Sequence, residues 1–177
     1  MSTVNSSVLD TGKTTRKRAL PIITFRMGKE YYGFHIARIK EVVRHLPLTR
    51  IPRAPDYMPG IINLRGGVVT VVDLAMRFGL PPVASPDEAF IVVVEIMHED
   101  RPHMVGLQVD FVHEVVKIDP DQIDASPRIG GLVASSYVEG IFLRDDIFVT
   151  LLNLELAFDI TELLKRSQSI TAAETAS

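Results

Sequence analysis

The chain has 177 residues and a mass of 19.7 kDa, the size of one domain or of two small domains that share a core. It contains no cysteine, which excludes disulfide scaffolds, thiolate–zinc sites, iron–sulfur clusters and cysteine nucleophiles. Its 19 basic and 22 acidic residues give a net charge of −3, which argues against a broad nucleic-acid surface because such a surface needs clustered positive charge. The longest uncharged run, the ten residues Ile129–Val138, is far shorter than the roughly 20 apolar residues that cross a bilayer. We expect a cytoplasmic protein.

The first elements in chain order are a tail and a hairpin. Residues 1–18 are rich in Ser, Thr and charge and lack periodicity, which predicts a disordered tail. The apolar runs Ile22–Phe25 and Tyr31–Ile36 flank Gly28–Lys29, a pattern typical of two strands joined by a tight turn.

The middle of the chain predicts a linker followed by two strands. Pro81–Asp87 contains three prolines and is the clearest internal linker between predicted elements. Phe90–Ile96 is almost continuously apolar and β-branched, as expected of a strand buried on both faces, and His98–Pro102 then turns the chain into Met104–Val109. Residues 167–177 have the composition of the first tail and predict a second disordered tail.

The chain contains an internal duplication. Tyr57–Phe78 aligns without a gap on Tyr137–Phe158 with seven identical positions, where about one or two would arise by chance. Tyr32–Arg44 aligns in the same way on Val105–Lys117. Because both pairs occur in the same order, each half of the chain is expected to hold the same series of elements.

Each repeated unit ends in an apolar strand followed by a helical pattern. Asp73 and Asn153 stand between strand and helix, where their side-chain oxygens can accept from the unpaired amides of the first turn. Gly79 is expected to end the first helix, and the second helix is predicted to continue to about Arg166. Short strands with so little helix favour a mainly β fold of two small barrels on a shared core.

Three segments resemble catalytic or metal-binding motifs, and each fails on spacing. Gly12–Thr14 imitates the end of a phosphate-binding loop, but the glycine required five residues earlier is Ser7. His113–Lys117 begins like a zinc-protease helix, but a lysine replaces the second histidine. Asp119–Asp124 lacks the bidentate glutamate of a calcium loop and is better explained as a capped turn. We therefore expect no metal site, no cofactor and a binding protein instead of an enzyme, although spacing alone does not exclude a His–Asp–Ser set that meets in space.

Pro59–Gly67 is the segment most suggestive of a partner contact. Its Arg65 aligns with Asp145 in the second copy, so the repeated fold does not itself demand an arginine there. One interpretation is a direct contact between Arg65 and a partner. The other is a local ion pair, with Gly66 and Gly67 turning the chain into the next strand, and the two interpretations are compatible.

These segments carry a family resemblance. Ile51–Leu80 contains a proline-rich entry, then Gly-apolar-apolar-Asn-Leu-Arg-Gly, then an apolar strand that runs into Asp-Leu and Arg-Phe-Gly-Leu. Val105–Val116 matches a second hallmark, as does Tyr32–Val43. Over about Leu20–Lys165 the chain resembles the CheW-like family, the coupling proteins of bacterial chemosensory arrays. Thr70 departs from the pattern, since many members have proline there.

The resemblance implies both a fold and a function. The fold is two intertwined, five-stranded, Src-homology-3-like barrels within one domain at 19–166, with subdomains at roughly 37–80 and 89–152, exchanged terminal elements and a C-terminal helix. The function is that of a non-catalytic adaptor between a CheA-type histidine kinase and the cytoplasmic tip of methyl-accepting chemoreceptors, assembled in an array. No nucleic acid, membrane insertion or cofactor is implied.

The resemblance also assigns residues position by position. The receptor-binding groove is expected to include Ile39, Glu41, Phe90 and Val112, although ordinary core packing would equally explain the last two. The motif that couples kinase and receptor is expected to comprise Gly60, Asn63, Leu64, Arg65 and Gly66. Arg65 is expected to pair with Glu41 or to lie at the rim of the groove, with kinase contacts around Arg65–Thr70. Gly60 and Gly106 are expected where a side chain would disturb a contact or a turn.

Two alternatives to flagellar chemotaxis stay open at this point. The nearest is an adaptor of a non-flagellar chemosensory pathway, such as pilus motility or second-messenger control. The more distant one is a small ligand-binding or hydrolytic β-barrel, which would be expected to contain a polar pocket of ligand size.

Overall fold

The computed structural model describes residues 18–44, 46–125, 135–159 and 161–165. The predicted tails therefore lie outside the described residues, apart from Arg18. The elements along these segments are the strands β1 (Leu20–Met27), β2 (Glu30–His35), β3 (Ile39–Arg44), β4 (Gly60–Leu64) and β5 (Gly67–Asp73), the helix α1 (Leu74–Arg77), the strands β6 (Phe90–His98), β7 (Arg101–Val109), β8 (Phe111–Ile118), β9 (Val138–Arg144) and β10 (Ile147–Leu152), and the helix α2 (Leu154–Ala157). Single turns of 3-10 helix lie at Ile36–Arg38, Pro120–Gln122 and Ser135–Tyr137.

The ten strands form two five-stranded sheets that exchange strands between the halves of the chain. One sheet has the order β8-β1-β2-β10-β9, and the other has the order β3-β6-β7-β5-β4. Each sheet thus takes two strands from one half and three from the other. The mainly β fold with two curled five-stranded sheets is confirmed, while the division into subdomains at 37–80 and 89–152 stays a prediction.

The duplication is confirmed at the level of strand register. In one sheet β5 pairs in parallel with β7, so that Val71 lies opposite Gly106. In the other sheet β10 pairs in parallel with β2, so that Leu151 lies opposite Gly33. Val71 is the repeat equivalent of Leu151, and Gly106 is that of Gly33, so the two halves of the chain make the same pairing.

The buried residues form three clusters that match this architecture. A central cluster draws on both sheets and includes Phe25, Phe34, Val92, Leu107 and Leu152. Each sheet also encloses a cluster of its own, with Ile22, Val116, Phe142, Val149 and Leu151 in one and Ile62, Val69, Val71, Ile91 and Val93 in the other. The central cluster holds the two barrels together, since every barrel contributes a face to it.

The predicted helix starts are confirmed. The Asp73 carboxylate accepts from the Met76 N–H at 3.1 Å, and the Asn153 side chain accepts from the Glu155 N–H at 3.0 Å. Gly79, at φ +76°, ends the first helix as expected. Asp119 caps its turn by accepting from the amide of residue 121 at 2.9 Å, which agrees with the capped turn predicted there.

The prediction that the second helix continues to about residue 166 is wrong. The helix α2 ends at Ala157, because Phe158 takes an extended conformation with φ −128° and ψ 137°. Asp159 then accepts from the backbone N–H groups of residues 161 and 162 and starts a separate helical turn at 161–165. Phe158 is itself buried in the central cluster, so packing overrides the local helical pattern.

Candidate functional site

The β4–β5 connection is a two-residue turn that displays Arg65. Leu64 pairs with Gly67, and the two residues between them, Arg65 and Gly66, have φ values of +51° and +81°. Positive φ at both central positions is the geometry that suits the twist of a hairpin. The Asn63 side chain fixes the turn by accepting from the Gly66 N–H at 3.1 Å.

Arg65 is an unfavourable residue for this turn. A residue with a Cβ loses roughly 1–2 kcal/mol in the left-handed region, and only glycine, asparagine and aspartate adopt it routinely. The equivalent turn of the second barrel uses Asp145 and Asp146, at φ +48° and +61°. Because the turn alone disfavours arginine, the side chain of Arg65 is a candidate for function.

Arg65 forms the ion pair that the resemblance implied. Its Nη2 atom lies 3.1 Å from Oε2 of Glu41, which belongs to the edge strand β3. The Arg65 side chain is 80% exposed and that of Glu41 is 24% exposed. An ion pair this exposed contributes about 0.2–1 kcal/mol, so stability does not explain the arginine.

An open groove of about 520 Å³ lies beside this pair. Its walls come from β3, from the β4–β5 turn and from the start of β7, and they include Lys40, Glu41, Arg65, Val68, His103 and Met104. The Val68 side chain, next to the turn, is 52% exposed. The groove therefore combines a fixed cation with an apolar edge.

The other predicted groove residues lie at the junction of the two barrels. Ile39, Phe90 and Val112 are half-buried and pack against the central cluster. Their packing is compatible both with core residues and with the rim of an apolar groove between the barrels.

The structure does not place Glu41 with these three residues. A β-bulge in β3 shifts the register, so that Ile39 lies opposite Val94 and Glu41 lies opposite Val93. Val94 belongs to the central cluster and Val93 to the cluster inside one barrel. Paired residues on neighbouring strands share a face of the sheet, so Ile39 and Glu41 lie on opposite faces and the predicted set divides into two places.

The fold itself explains two of the singled-out glycines. A Cβ on Gly60 would lie 2.4 Å from the backbone oxygen of Thr49, with which this end of β4 forms an isolated bridge. A Cβ on Gly106 would lie 2.8 Å from Cγ2 of Ile91. Leu64 is likewise half-buried against the cluster inside the barrel, so within the motif only Arg65 has no structural role that explains its residue type.

Sequence reasoning missed two features near these places. Arg144, next to the second turn, lies 3.8 Å from Glu114, the repeat equivalent of Glu41, so each barrel ties its turn to its edge strand with a Glu–Arg pair. Phe111 is a 43% exposed ring whose edge-to-face contact with Phe90 has a centroid distance of 5.4 Å. The alignment of the two copies could have singled out Phe111. The equivalent position in the other copy is Arg38, so the repeated fold does not itself require an aromatic ring there.

Two buried ionisable groups have shifted pKa values, and neither lines the groove. Burial raises the pKa of Asp73, and hydrogen bonds from the Met76 and Val83 amides partly oppose the shift. Burial and a hydrogen bond to Glu30 raise the pKa of the Tyr32 hydroxyl. Among the described residues, no three His, Cys, Asp or Glu side chains are arranged to hold a metal ion. The part of the chain that the structure describes also contains no helix long and apolar enough to span a membrane.

Comparisons with known proteins agree with the architecture. The family model of the CheW-like domain matches residues 21–162. A probable chemotaxis protein CheW of Rhizobium etli is 33% identical over 141 residues, which is 80% of this chain and 88% of that protein. A chemotaxis protein CheW of Helicobacter pylori is 31% identical and covers 78% of this chain and 81% of its own length.

A solved structure gives the same result in three dimensions. The crystal structure of the scaffolding protein TtCheW from Thermoanaerobacter tengcongensis superposes with a TM-score of 0.70 at 35% identity. The match covers 80% of this chain and 93% of that one. With its duplicated sheets, its Asn-Leu-Arg-Gly turn and a family match over most of its length, the chain belongs to the CheW-like family.

Proposed function

We propose that this protein is a non-catalytic, cytoplasmic adaptor that couples chemoreceptors to a CheA-type histidine kinase in bacterial chemotaxis. Membership of the CheW-like family and the likeness to chemotaxis and scaffolding proteins support the adaptor role. They favour chemotaxis over a pilus or second-messenger pathway and over a hydrolytic barrel. The observation that carries the residue-level proposal is Arg65, which occupies a turn that disfavours it and is anchored to Glu41 beside an open groove.

The receptor would bind at the junction of the barrels. Ile39, Phe90 and Val112, which we call the apolar strip, are half-buried and each packs against the central cluster. An apolar strip on a rigid support suits the apolar face of an amphipathic helix, and the tip of a chemoreceptor would supply that helix.

The kinase would bind around the β4–β5 turn. The exposed Arg65 and Val68 offer a guanidinium and an apolar side chain at the edge of one barrel. The pair with Glu41 would hold the Arg65 guanidinium in one orientation, because the carboxylate fixes one of its donor atoms and leaves the others for a partner. Asn63 and Gly66 would act through the turn by holding it in shape.

The adaptor would carry no chemistry of its own. It would bind receptor and kinase at separate surfaces of one rigid body. A receptor conformation that contacts the adaptor differently would then shift the equilibrium between the conformations of the bound kinase. Weak individual contacts suffice, because assembly into an array adds avidity.

The proposal is tested by a pull-down with the regulatory domain of a cognate CheA-type kinase and with a soluble cytoplasmic fragment of a cognate receptor. We expect Arg65→Ala to weaken kinase binding about tenfold or more, the scale of a lost charge-assisted hydrogen bond. Ile39→Asp should weaken receptor binding, because it would place a charge in the apolar strip.

Arg65→Asn is the matched control for the turn, since asparagine tolerates the left-handed conformation and only the guanidinium is lost. It should bind the kinase as weakly as Arg65→Ala does while the protein stays folded. Wild-type protein that binds neither partner would refute the adaptor function. Wild-type affinity in both Arg65 variants would remove Arg65 from the kinase surface.

A further inference from the structure

Four side chains form a continuous row across the junction of the two sheets. Arg26 lies directly opposite Phe111 on β1 and β8, and Arg44 lies directly opposite Phe90 on β3 and β6. The rings of Phe90 and Phe111 meet edge to face at 5.4 Å and an interplanar angle of 83°. Because each Arg–Phe pair belongs to a different sheet, this contact joins two sheet ends into one surface, which we call the arginine–phenylalanine row.

Both guanidinium groups of the row face aromatic rings. Cζ of Arg44 lies 4.3 Å from the centroid of the Phe90 ring, and Cζ of Arg26 lies 5.9 Å from that of Phe111. Both arginines are exposed, and neither forms an ion pair with a carboxylate of the described residues. An arginine stacked on a ring keeps its in-plane N–H groups available. Within the part of the chain that the structure describes, the row therefore presents cationic donors without a carboxylate partner at both ends and partly exposed rings between them.

The internal repeat shows how a cation at the position of Phe111 behaves when the chain supplies its own acid. The equivalent of Phe111 in the first half is Arg38, whose Nη2 atom pairs with the carboxylate of Glu155 from α2. The cation at that place is satisfied within the protein. Arg26 and Arg44 have no such carboxylate among the described residues, which leaves two sites of positive charge to be complemented from outside.

We propose that the arginine–phenylalanine row binds an acidic amphipathic helix of the chemoreceptor tip. This inference rests on the proposed adaptor function, and it adds what that function leaves open, namely the charge pattern that the receptor helix must carry. Carboxylates would pair with Arg26 and Arg44, and apolar side chains between them would pack on Phe111 and Phe90. Phe90 belongs to the predicted receptor groove as well, so the row would extend the apolar strip at its charged end.

The spacing of the row favours a helix as the occupant. The contacts that join its four members measure 5.9, 5.4 and 4.3 Å, so the row extends no further than about three turns of an α-helix, whose pitch is about 5.4 Å. A helix laid along the row would bring one side chain per turn to each member, in the order acidic, apolar, apolar, acidic. The expected ligand signature is thus a stripe at positions i, i+4, i+7 and i+11.

The test is a calorimetric titration of the full-length protein with a soluble cytoplasmic fragment of a cognate receptor, at low and at high salt. The variants are Arg26→Gln, Arg44→Gln and the double variant, since glutamine removes the charge but keeps part of the stem. We expect each single variant to weaken binding about tenfold and the double variant to lose most of the salt dependence. Lys117→Gln, which removes the exposed cation at the repeat equivalent of Arg44, should leave the affinity unchanged.

The outcomes separate this inference from the proposed function. Wild-type protein that binds no receptor fragment would refute the adaptor function and, with it, the row. A wild type that binds and a double variant that binds equally well at both salt concentrations would overturn the row alone. A double variant that loses kinase binding while it keeps receptor binding would overturn the assignment to the receptor. If each variant unfolds at the same temperature as the wild type, the losses of binding are local and do not come from unfolding.

Discussion

The two arginines that matter most here are held in different ways. Arg65 lies in a turn with a left-handed backbone conformation. Its exposed ion pair with Glu41 stabilises the fold by at most about 1 kcal/mol, which is no more than the cost of that conformation. Arg44 instead lies over the ring of Phe90 and forms no ion pair with a carboxylate of the described residues. In both cases the fold orients a guanidinium without using up its donors, which is the arrangement expected of a residue that binds something outside the chain.

At the same scale, Asp73 should give the protein a distinctive pH dependence. Burial raises its pKa in the folded state, so the folded protein holds a proton there more tightly than the unfolded chain does. Stability from this group is present below the unfolded pKa, about 3.9, and is lost as the pH rises through the higher folded value. We expect the wild type to lose stability relative to Asp73→Asn over that rise. Chemical denaturation of both proteins across the range measures the difference.

Asp56→Asn provides the control for this measurement, because Asp56 is exposed. The effect assigned to Asp73 is the pH dependence that Asp73→Asn shows beyond that of Asp56→Asn. A difference between wild type and Asp73→Asn that grows in favour of the wild type as the pH rises would contradict the assignment of the shift to burial.

At the scale of the element, the bridge that anchors β4 depends on the absence of one side chain. A Cβ on Gly60 would meet the Thr49 oxygen at 2.4 Å, and backbone cannot move aside as the end of a side chain can. We expect Gly60→Ala to lower the free energy of unfolding by about 1–3 kcal/mol. Gly67→Ala, in the neighbouring strand, is the matched control, because the nearest atom there is 3.4 Å away. Urea denaturation compares the two, and equal losses would show that the Thr49 contact is not the cause.

The elements were largely predictable because their signals are local. The Gly28–Lys29 hairpin and the caps at Asp73 and Asn153 follow from patterns within a few residues, and the repeated register follows from the internal duplication. Two features of the site did not follow. The bulge in β3 adds one residue to the strand, so alternation alone would place Ile39 and Glu41 on one face when they lie on opposite faces. The contact of Phe90 with Phe111 joins different sheets, and no local pattern encodes which sheet ends meet.

At the scale of the whole molecule, the exchanged strands make the halves interdependent. Residues 1–88 contain β1 and β2, which belong to the sheet completed by β8, β9 and β10. Neither half alone can build a full five-stranded sheet or the central cluster. We therefore expect fragments 1–88 and 89–177 to be largely unfolded when separate and to regain β structure on mixing. Circular dichroism of each fragment and of the mixture measures this, and a separate fragment with cooperative thermal unfolding would contradict it.

The parallel pairing of Leu151 with Gly33 also has a consequence for synthesis of the protein. The hairpin β1–β2 leaves the ribosome early, but its partner β10 follows only after more than a hundred further residues. At 5–20 residues per second this interval is on the order of ten seconds. During that time the apolar face of the nascent hairpin has no sheet to join, so the newborn chain, more than the finished fold, is the form that needs protection from aggregation.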